Sequence, residues 1–155
     1  MSSKYLNIYN NLVNLTRNKQ LYKNFDKQDT FSDRLNFLLL HFAFFLKAFK
    51  NADNKQVLQD IYDHVFRQLE LSIREIGYGD QTINKKMKDY INLLYAMLDK
   101  FYDWDSLSLE GKKAILLTFL DNNVNTDDLI EYIEKYRQNL LNNTLNFYLK
   151  GVVKT

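Results

Sequence analysis

The chain has 155 residues, with 21 Lys and Arg against 19 Asp and Glu, so its net charge is only +2. This length fits one domain, and so small a charge excess argues against a protein whose main work is to bind nucleic acid. Cysteine is absent, which excludes disulfides, thiolate nucleophiles and Cys-ligated metal sites.

The composition favours long helices joined by short turns, because proline is absent and glycine occurs only four times. Aromatic residues make up 15% of the chain. They either fill the core of a helical domain or form a surface for apolar partners. The first residues lack the apolar run of a signal peptide and no membrane-spanning segment follows, so we expect a cytoplasmic location.

The N-terminal region predicts a first helix from Ser3 to about Asn18. Its inward face is expected to carry Leu6, Tyr9, Leu12, Val13 and Thr16. The polar stretch Lys19–Asp29 is expected to lie against the surface through Leu21, Tyr22 and Phe25. Thr30 and Asp33 resemble a capping box and open the next helix.

The stretch Leu35–Phe49 (LNFLLLHFAFFLKAF) is apolar on every side of a helical wheel, so it predicts a fully buried helix. At about 22 Å long, it is too short to span a bilayer. We therefore expect the central helix of a bundle, closed by Asn51–Asn54.

The segment Lys55–Ile76 shows the clearest helical periodicity. Its apolar face comprises Leu58, Ile61, Tyr62, Val65, Leu69, Ile73 and Ile76. The opposite face predicts two i,i+4 ion pairs, Asp63 with Arg67 and Glu70 with Arg74. Gly77 is expected to end the helix as its C-terminal glycine.

A further helix is predicted to be capped by Thr82 and to end near Trp104–Ser106. Its inward residues are Ile83, Met87, Tyr90, Ile91, Leu94, Leu98 and Phe101. A shorter helix over about Leu107–Leu120 follows, with Ala114, Ile115, Leu117 and either Phe119 or Leu120 buried.

Asp121–Asn123 is expected to break that helix, and Thr126 to cap a last one that reaches Gly151. Its stripe is Leu129, Ile133, Tyr136, Leu140 and Leu141. Strand-like alternation is absent throughout. The sequence therefore predicts an all-α, single-domain bundle of about six helices spanning residues 1–155 around Leu35–Phe49.

Metal and catalytic patterns are weak. Asp60, Asp63 and His64 share a helix, but the Glu-x-x-His pairs of a di-iron bundle are missing. His41 lies in the most apolar helix, where a histidine usually bonds to a backbone carbonyl or carboxylate. Phosphate loops, paired catalytic carboxylates and triads are not apparent, so we expect no metal site, no cofactor and no enzymatic activity.

The junction Ile73–Lys88 stands out, because Gly77 and Gly79 permit unusual backbone conformations and close helix contact. Lys85 and Lys86 are predicted in the first turn of the next helix, where cations are disfavoured, and Lys88 lies one turn further on. Two interpretations are compatible. Glu75 and Asp80 pair with the lysines, or the lysines form a contact surface for an acidic or phosphate-bearing partner.

The run Phe66-x-x-Leu69-Glu70-x-x-Ile73-Arg74-Glu75-Ile76-Gly77-Tyr78-Gly79-Asp80, followed by Lys85-Lys86-Met87-Lys88, resembles the ubiquinol–cytochrome c chaperone family. Upstream, Tyr22, Asp29-Thr30, Arg34, Phe37 and Leu40-His41 are similar to other elements of that family. The resemblance covers roughly Leu21–Tyr102. The chain departs from the family pattern at Glu70, where members often carry Asp, and at Ala96-Met97, where they carry Gly-Arg.

The resemblance implies a non-catalytic assembly chaperone for the respiratory cytochrome bc1 complex, with newly made cytochrome b as its client. Mitochondrial members also work beside the ribosome and with a small partner subunit. It further implies that client or partner binding involves Arg34, Arg74, Glu75, Gly77, Tyr78, Gly79, Asp80, Lys85, Lys86 and Lys88. Peripheral contact with an anionic membrane face, at the matrix side in a eukaryote, is compatible with the basic cluster.

Two other functional classes remain open from the residues alone. One is a general helical adaptor that binds an unrelated soluble protein through its aromatic side chains. The other is a helical enzyme that uses His41 or His64.

Overall fold

The structure, a computed structural model, describes residues 3–17, 31–120 and 125–150. Every regular element in these segments is helical, which confirms the all-α fold. The elements in chain order are α1 (Ser3–Thr16), α2 (Phe31–Phe49), α3 (Lys55–Ile76), α4 (Asp80–Phe101), a 3₁₀ turn (Trp104–Ser106), α5 (Leu109–Phe119), α6 (Thr126–Leu141) and α7 (Leu145–Lys150).

α2 is the central helix, as its apolar character predicts. Every residue from Phe37 to Phe45 is at most 5% exposed, so no side of this segment faces solvent. α4, α1 and α6 pack around it. The bundle is therefore organised by one buried helix rather than by a groove between equivalent amphipathic helices.

Stacked aromatic rings join α2 to α4. The rings of Phe44 and Phe101 are stacked with centroids 4.4 Å apart, and Trp104 meets Phe44 edge-on at 5.2 Å. The 3₁₀ turn buries Trp104 completely, and its indole N–H donates to a carboxylate oxygen of Glu134 at 2.8 Å. Much of the aromatic content thus fills the core, although Tyr102 is 72% exposed.

His41 has the structural role expected of a buried histidine. Its Nδ1–H donates to the carbonyl of Phe37 at 2.6 Å, and its Nε2 accepts from the hydroxyl of Tyr132 at 2.7 Å. The Tyr136 hydroxyl in turn donates to the His41 carbonyl. Burial lowers the pKa of His41 to about 4, so the ring is neutral at pH 7. It links α2 to α6.

α3 has the predicted bounds, and the burial of Leu58, Ile61 and Val65 confirms the predicted face. The predicted burial of Ile76, the last residue of that face, is wrong: it is 52% exposed at the helix end, beyond the core. The Arg74–Glu70 ion pair forms at 3.3 Å. The predicted Asp63–Arg67 pair is not among the described ion pairs. Instead, Asp63 accepts a hydrogen bond from Gln59.

α4 begins three residues earlier than predicted. Its N-cap is Gly79, not Thr82, and Asp80 occupies its first turn, where the helix dipole favours a negative charge. Of the predicted inward residues, Ile83, Met87, Leu94 and Phe101 are buried, whereas Tyr90, Ile91 and Leu98 are half-buried. Met97, which lies one turn after Leu94, is fully buried and was missed.

The inward faces of two other helices differ from the prediction. In α1, Leu6 is 40% exposed, whereas Ile8 and Leu15 are buried. In α5, Leu116 is buried, while Ala114 and Leu117 are exposed. Apolar residues occur on several sides of both helices, so periodicity alone left the inward face ambiguous.

The C-terminal helix is divided into α6 and α7 at residues 142–144, so it does not run unbroken to its predicted end. The side chain of Asn125, rather than Thr126, caps α6 by accepting from the backbone N–H of Asp128 at 3.1 Å. Leu141, predicted to be buried, is 64% exposed at the end of α6, whereas Tyr148 of α7 is buried.

Several predictions lie outside the described residues: the surface segment Lys19–Asp29, the capping box of Thr30 and Asp33, the break at Asp121–Asn123 and the end at Gly151. Within the described segments, no helix has the length and apolar character needed to cross a membrane. Nor do three His, Asp or Glu side chains group there in a way that could hold a metal ion.

Candidate functional site at the α3–α4 junction

The turn between α3 and α4 is held by one glycine in a left-handed conformation. Gly77 has φ 105° and ends α3, and its N–H donates to the carbonyl of Arg74 at 3.0 Å. Gly79 instead has an ordinary extended backbone with φ −73°. A Cβ added at either glycine would meet no atom within 4 Å. The close helix contact predicted at these glycines is therefore wrong, and only Gly77 needs the freedom of glycine.

Arg74 links α3 to α4 across the turn by ion pairs. Its Nη1 lies 2.7 Å from Oδ1 of Asp80 on α4, and its Nε lies 3.3 Å from Oε2 of Glu70 on α3. The hydrogen bonds to Asp80 and then Glu70 raise the pKa of Arg74. Because these groups are exposed, the pairs fix geometry more than they add stability.

The lysines are not paired in the way that the first interpretation requires. Asp80 is engaged by Arg74, and Glu75 is exposed. In the portion that the structure describes, Lys85, Lys86 and Lys88 form no ion pair. Since α4 starts at Asp80, Lys85 and Lys86 lie in its second turn, beyond the strongest part of the helix dipole. The first-turn placement is therefore wrong.

Tyr78 gives the surface an aromatic edge. It is 40% exposed, and the ammonium of Lys86 lies 4.7 Å from its ring centroid, within cation–π range. Tyr90 is close by on α4: burial raises its pKa, and the neighbouring Tyr78 adds to that shift. Ile76 lies at the same turn and is exposed. Sequence periodicity assigned Ile76 to the core, so its contribution to this surface was missed.

We define the junction surface as Arg74, Glu75, Ile76, Gly77, Tyr78, Gly79, Asp80, Lys85, Lys86 and Lys88. Arg34, which the resemblance also placed at the binding site, is exposed near the start of α2, and its part in binding stays a prediction. Chemically, the junction surface offers ammonium groups that form no described ion pair, beside an exposed apolar side chain and a tyrosine ring. Such a surface is suited to binding rather than to bond-breaking chemistry.

Comparison with known proteins matches this chain to the family described as ubiquinol-cytochrome C chaperone, over residues 23–146. The match extends well beyond the stretch that carries the sequence resemblance and includes α5 and α6. A solved structure, the crystal structure of the Cbp3 homolog from Brucella abortus, is similar with a TM-score of 0.75 and 24% identity. It covers 94% of this chain and 84% of the homolog, and shows a shared fold. No curated protein matches the chain.

Proposed function

The chain belongs to the ubiquinol-cytochrome c chaperone family, and on that premise we propose that it is an assembly chaperone for the respiratory cytochrome bc1 complex. Its proposed client is newly made cytochrome b, bound before incorporation into the complex. The proposed role is non-catalytic and uses no cofactor. The observation that carries the proposal is the family match over residues 23–146.

We place client or partner contact at the junction surface. Lys85, Lys86 and Lys88 form no ion pair with the described residues, so a partner's acidic group can bind them without breaking a described ion pair. Ile76 and Tyr78 add exposed apolar area beside these charges. Apolar and aromatic side chains suit a client built of apolar helices, while charges at the rim orient it and speed its encounter.

The proposal extends to where the protein works. A lysine near an anionic membrane face contributes about 1 kcal/mol, so the junction surface supports peripheral contact at the inner face of the membrane that receives the client. A ribosome or a small partner subunit is a further proposed contact, which would bring the chaperone to its client during synthesis.

The test is a charge reversal of the junction lysines in the full-length protein. Changing Lys85, Lys86 and Lys88 to Glu should lower the amount of cytochrome b recovered with the tagged protein by about tenfold or more, because attraction at three positions becomes repulsion. A matched control changes Lys55, Lys100 and Lys135, which are exposed elsewhere, to Glu. This control alters net charge equally and should leave cytochrome b recovery unchanged.

Each other result has a distinct meaning. If deletion of the gene leaves the level of cytochrome b and assembled bc1 complex unchanged, the chaperone proposal is wrong. If the tagged protein recovers soluble proteins and no cytochrome b, it is a general adaptor. If the junction variant loses thermal stability while cytochrome b recovery persists, the lysines serve the fold and the client binds elsewhere.

A further inference from the structure

A second site lies at the opposite end of α4 from the junction surface. α2, the 3₁₀ turn and α6 enclose a cleft of about 290 Å³. Phe44, Ala48 and Leu141 supply apolar lining, and Lys47, Asp105 and Arg137 supply charge. α4 has 22 residues and so is roughly 33 Å long. The two sites are therefore separate.

Arg137 is the central charged group of this cleft. Its side chain is only 15% exposed, and its Nη1 lies 2.6 Å from Oδ1 of Asp105 and 3.4 Å from Oε1 of Glu134. No described residue bonds to its Nε or Nη2. Neither nitrogen is enclosed, because among the described residues only Nε2 of His64 is both buried and without a hydrogen-bond partner. One edge of the guanidinium is therefore open to a ligand.

The charges around the cleft favour an anion. Lys47 and Arg137 line the cleft together with two carboxylates, Asp105 and Glu134. A third cation, Lys112, lies just outside the lining, 3.8 Å from Glu134. Glu134 is also held by the indole N–H of Trp104 at 2.8 Å. The other carboxylate, Asp105, lies in the short 3₁₀ turn and its side chain is 67% exposed. Both Lys47 and Arg137 form ion pairs with it. The cleft thus already binds one carboxylate from within the chain.

We propose that this cleft binds a carboxylate group carried on an apolar body. The free Nε–Nη2 edge of Arg137 matches the two oxygens of a carboxylate in a bidentate pair. Lys47 provides a second cation at the rim, while Phe44, Ala48 and Leu141 contact the apolar body. Asp105 competes for the same cations and weakens binding. The ligand is either a small free acid or an acidic side chain of an apolar peptide.

The test is a titration of the full chain with 3-phenylpropanoate. The NMR chemical shifts of the backbone amides of Ala48 and Leu141 monitor binding. The uncharged analogue 3-phenylpropanamide should bind about 10- to 100-fold more weakly, the usual value of a charge-assisted hydrogen bond. Arg137→Gln should weaken binding by a similar factor, and Lys47→Gln by a smaller one. Lys135→Gln, an exposed change on the same helix, is the matched control.

Asp105→Asn gives the sharpest outcome. Removing the competing carboxylate should tighten 3-phenylpropanoate binding several-fold. If the cleft instead binds cations, the same variant should bind the cation phenethylammonium more weakly than the wild type does. Equal binding of the acid and the amide, or weaker acid binding by Asp105→Asn, overturns the proposal. If Arg137→Gln fails to fold, the responses of Lys47→Gln and Asp105→Asn decide the result.

Two capped peptides identify the source of the carboxylate. One has a single Glu among leucines, and the other has Gln at that position. Binding of the Glu peptide alone assigns the site to a partner's acidic side chain. Binding of 3-phenylpropanoate alone assigns it to a small free acid. Failure of both to bind refutes the site, and does so without bearing on cytochrome b recovery through the junction surface.

Discussion

Replacing Gly77 with Ala tests the geometry of the junction directly. Gly77 has φ 105° and ψ 13°, a left-handed conformation. A residue with a Cβ pays about 1–2 kcal/mol for it. No atom lies within 4 Å of the added Cβ, so steric clash adds nothing. Alanine also lowers the conformational entropy of the unfolded chain, which stabilises the folded state by about 0.4–1 kcal/mol. The expected net loss in unfolding free energy is about 1 kcal/mol.

Gly79 provides the matched comparison two residues away. Its φ of −73° and ψ of 163° are ordinary for alanine, and the space around it is open. The same entropy gain of about 0.4–1 kcal/mol applies. It is offset because alanine is a poorer N-cap residue than glycine. We expect Gly79→Ala to remain within about 0.5 kcal/mol of the wild type.

Urea denaturation and thermal melting of both variants measure the difference. Gly77→Ala should lower Tm by about 2–4 °C, the usual shift for 1 kcal/mol in a chain of this size. Gly77→Asn should recover part of the loss, because Asn tolerates the left-handed region. A Gly77→Ala protein as stable as the wild type, or an equal loss from Gly79→Ala, would refute the reasoning.

Further expectations concern the core and the helix caps. Because burial lowers the pKa of His41 from its ordinary 6.5 to about 4, its stabilising contribution is complete above pH 6.5. As the pH falls, the unfolding free energy should decrease, by about 2 kcal/mol at pH 5, because the unfolded state binds a proton that buried His41 does not. Urea denaturation at several pH values measures this decrease, and His41→Gln should remove most of it. Asn125→Ala should cost about 1 kcal/mol by loss of the cap to α6, and Thr126→Ala much less. Phe101→Ala should lower the unfolding free energy by about 3–5 kcal/mol. Tyr102→Ala, at the exposed neighbouring position, should change it by no more than about 0.5 kcal/mol in the same assay.

Predictions succeeded where the signal is local in sequence. The bounds of α3 follow from seven apolar positions spaced by three and four and from a glycine at the end. The burial of α2 follows from apolar residues on all its sides. His41 could be assigned a structural role because a polar ring inside such a helix must find a hydrogen-bond partner nearby.

The junction was only partly predictable. Its charged and glycine residues could be identified from the sequence, and so could the left-handed Gly77. The partner of Asp80 could not, because Arg74 and the lysines were all within reach and only the direction of α4 selects among them. Ile76 was misassigned because periodicity continues to the last residue of a helix, whereas the core beneath it ends earlier.

By itself, the sequence determined that this protein is a helical bundle around one apolar helix, since helix formation and burial depend on patterns within a few turns. The tertiary structure alone decided which face of α1 and α5 is buried and which charges meet. Asp105, Lys47 and Arg137 come from three distant segments and converge on one cleft. Local periodicity carries no information about such encounters, because they depend on how complete helices pack against one another.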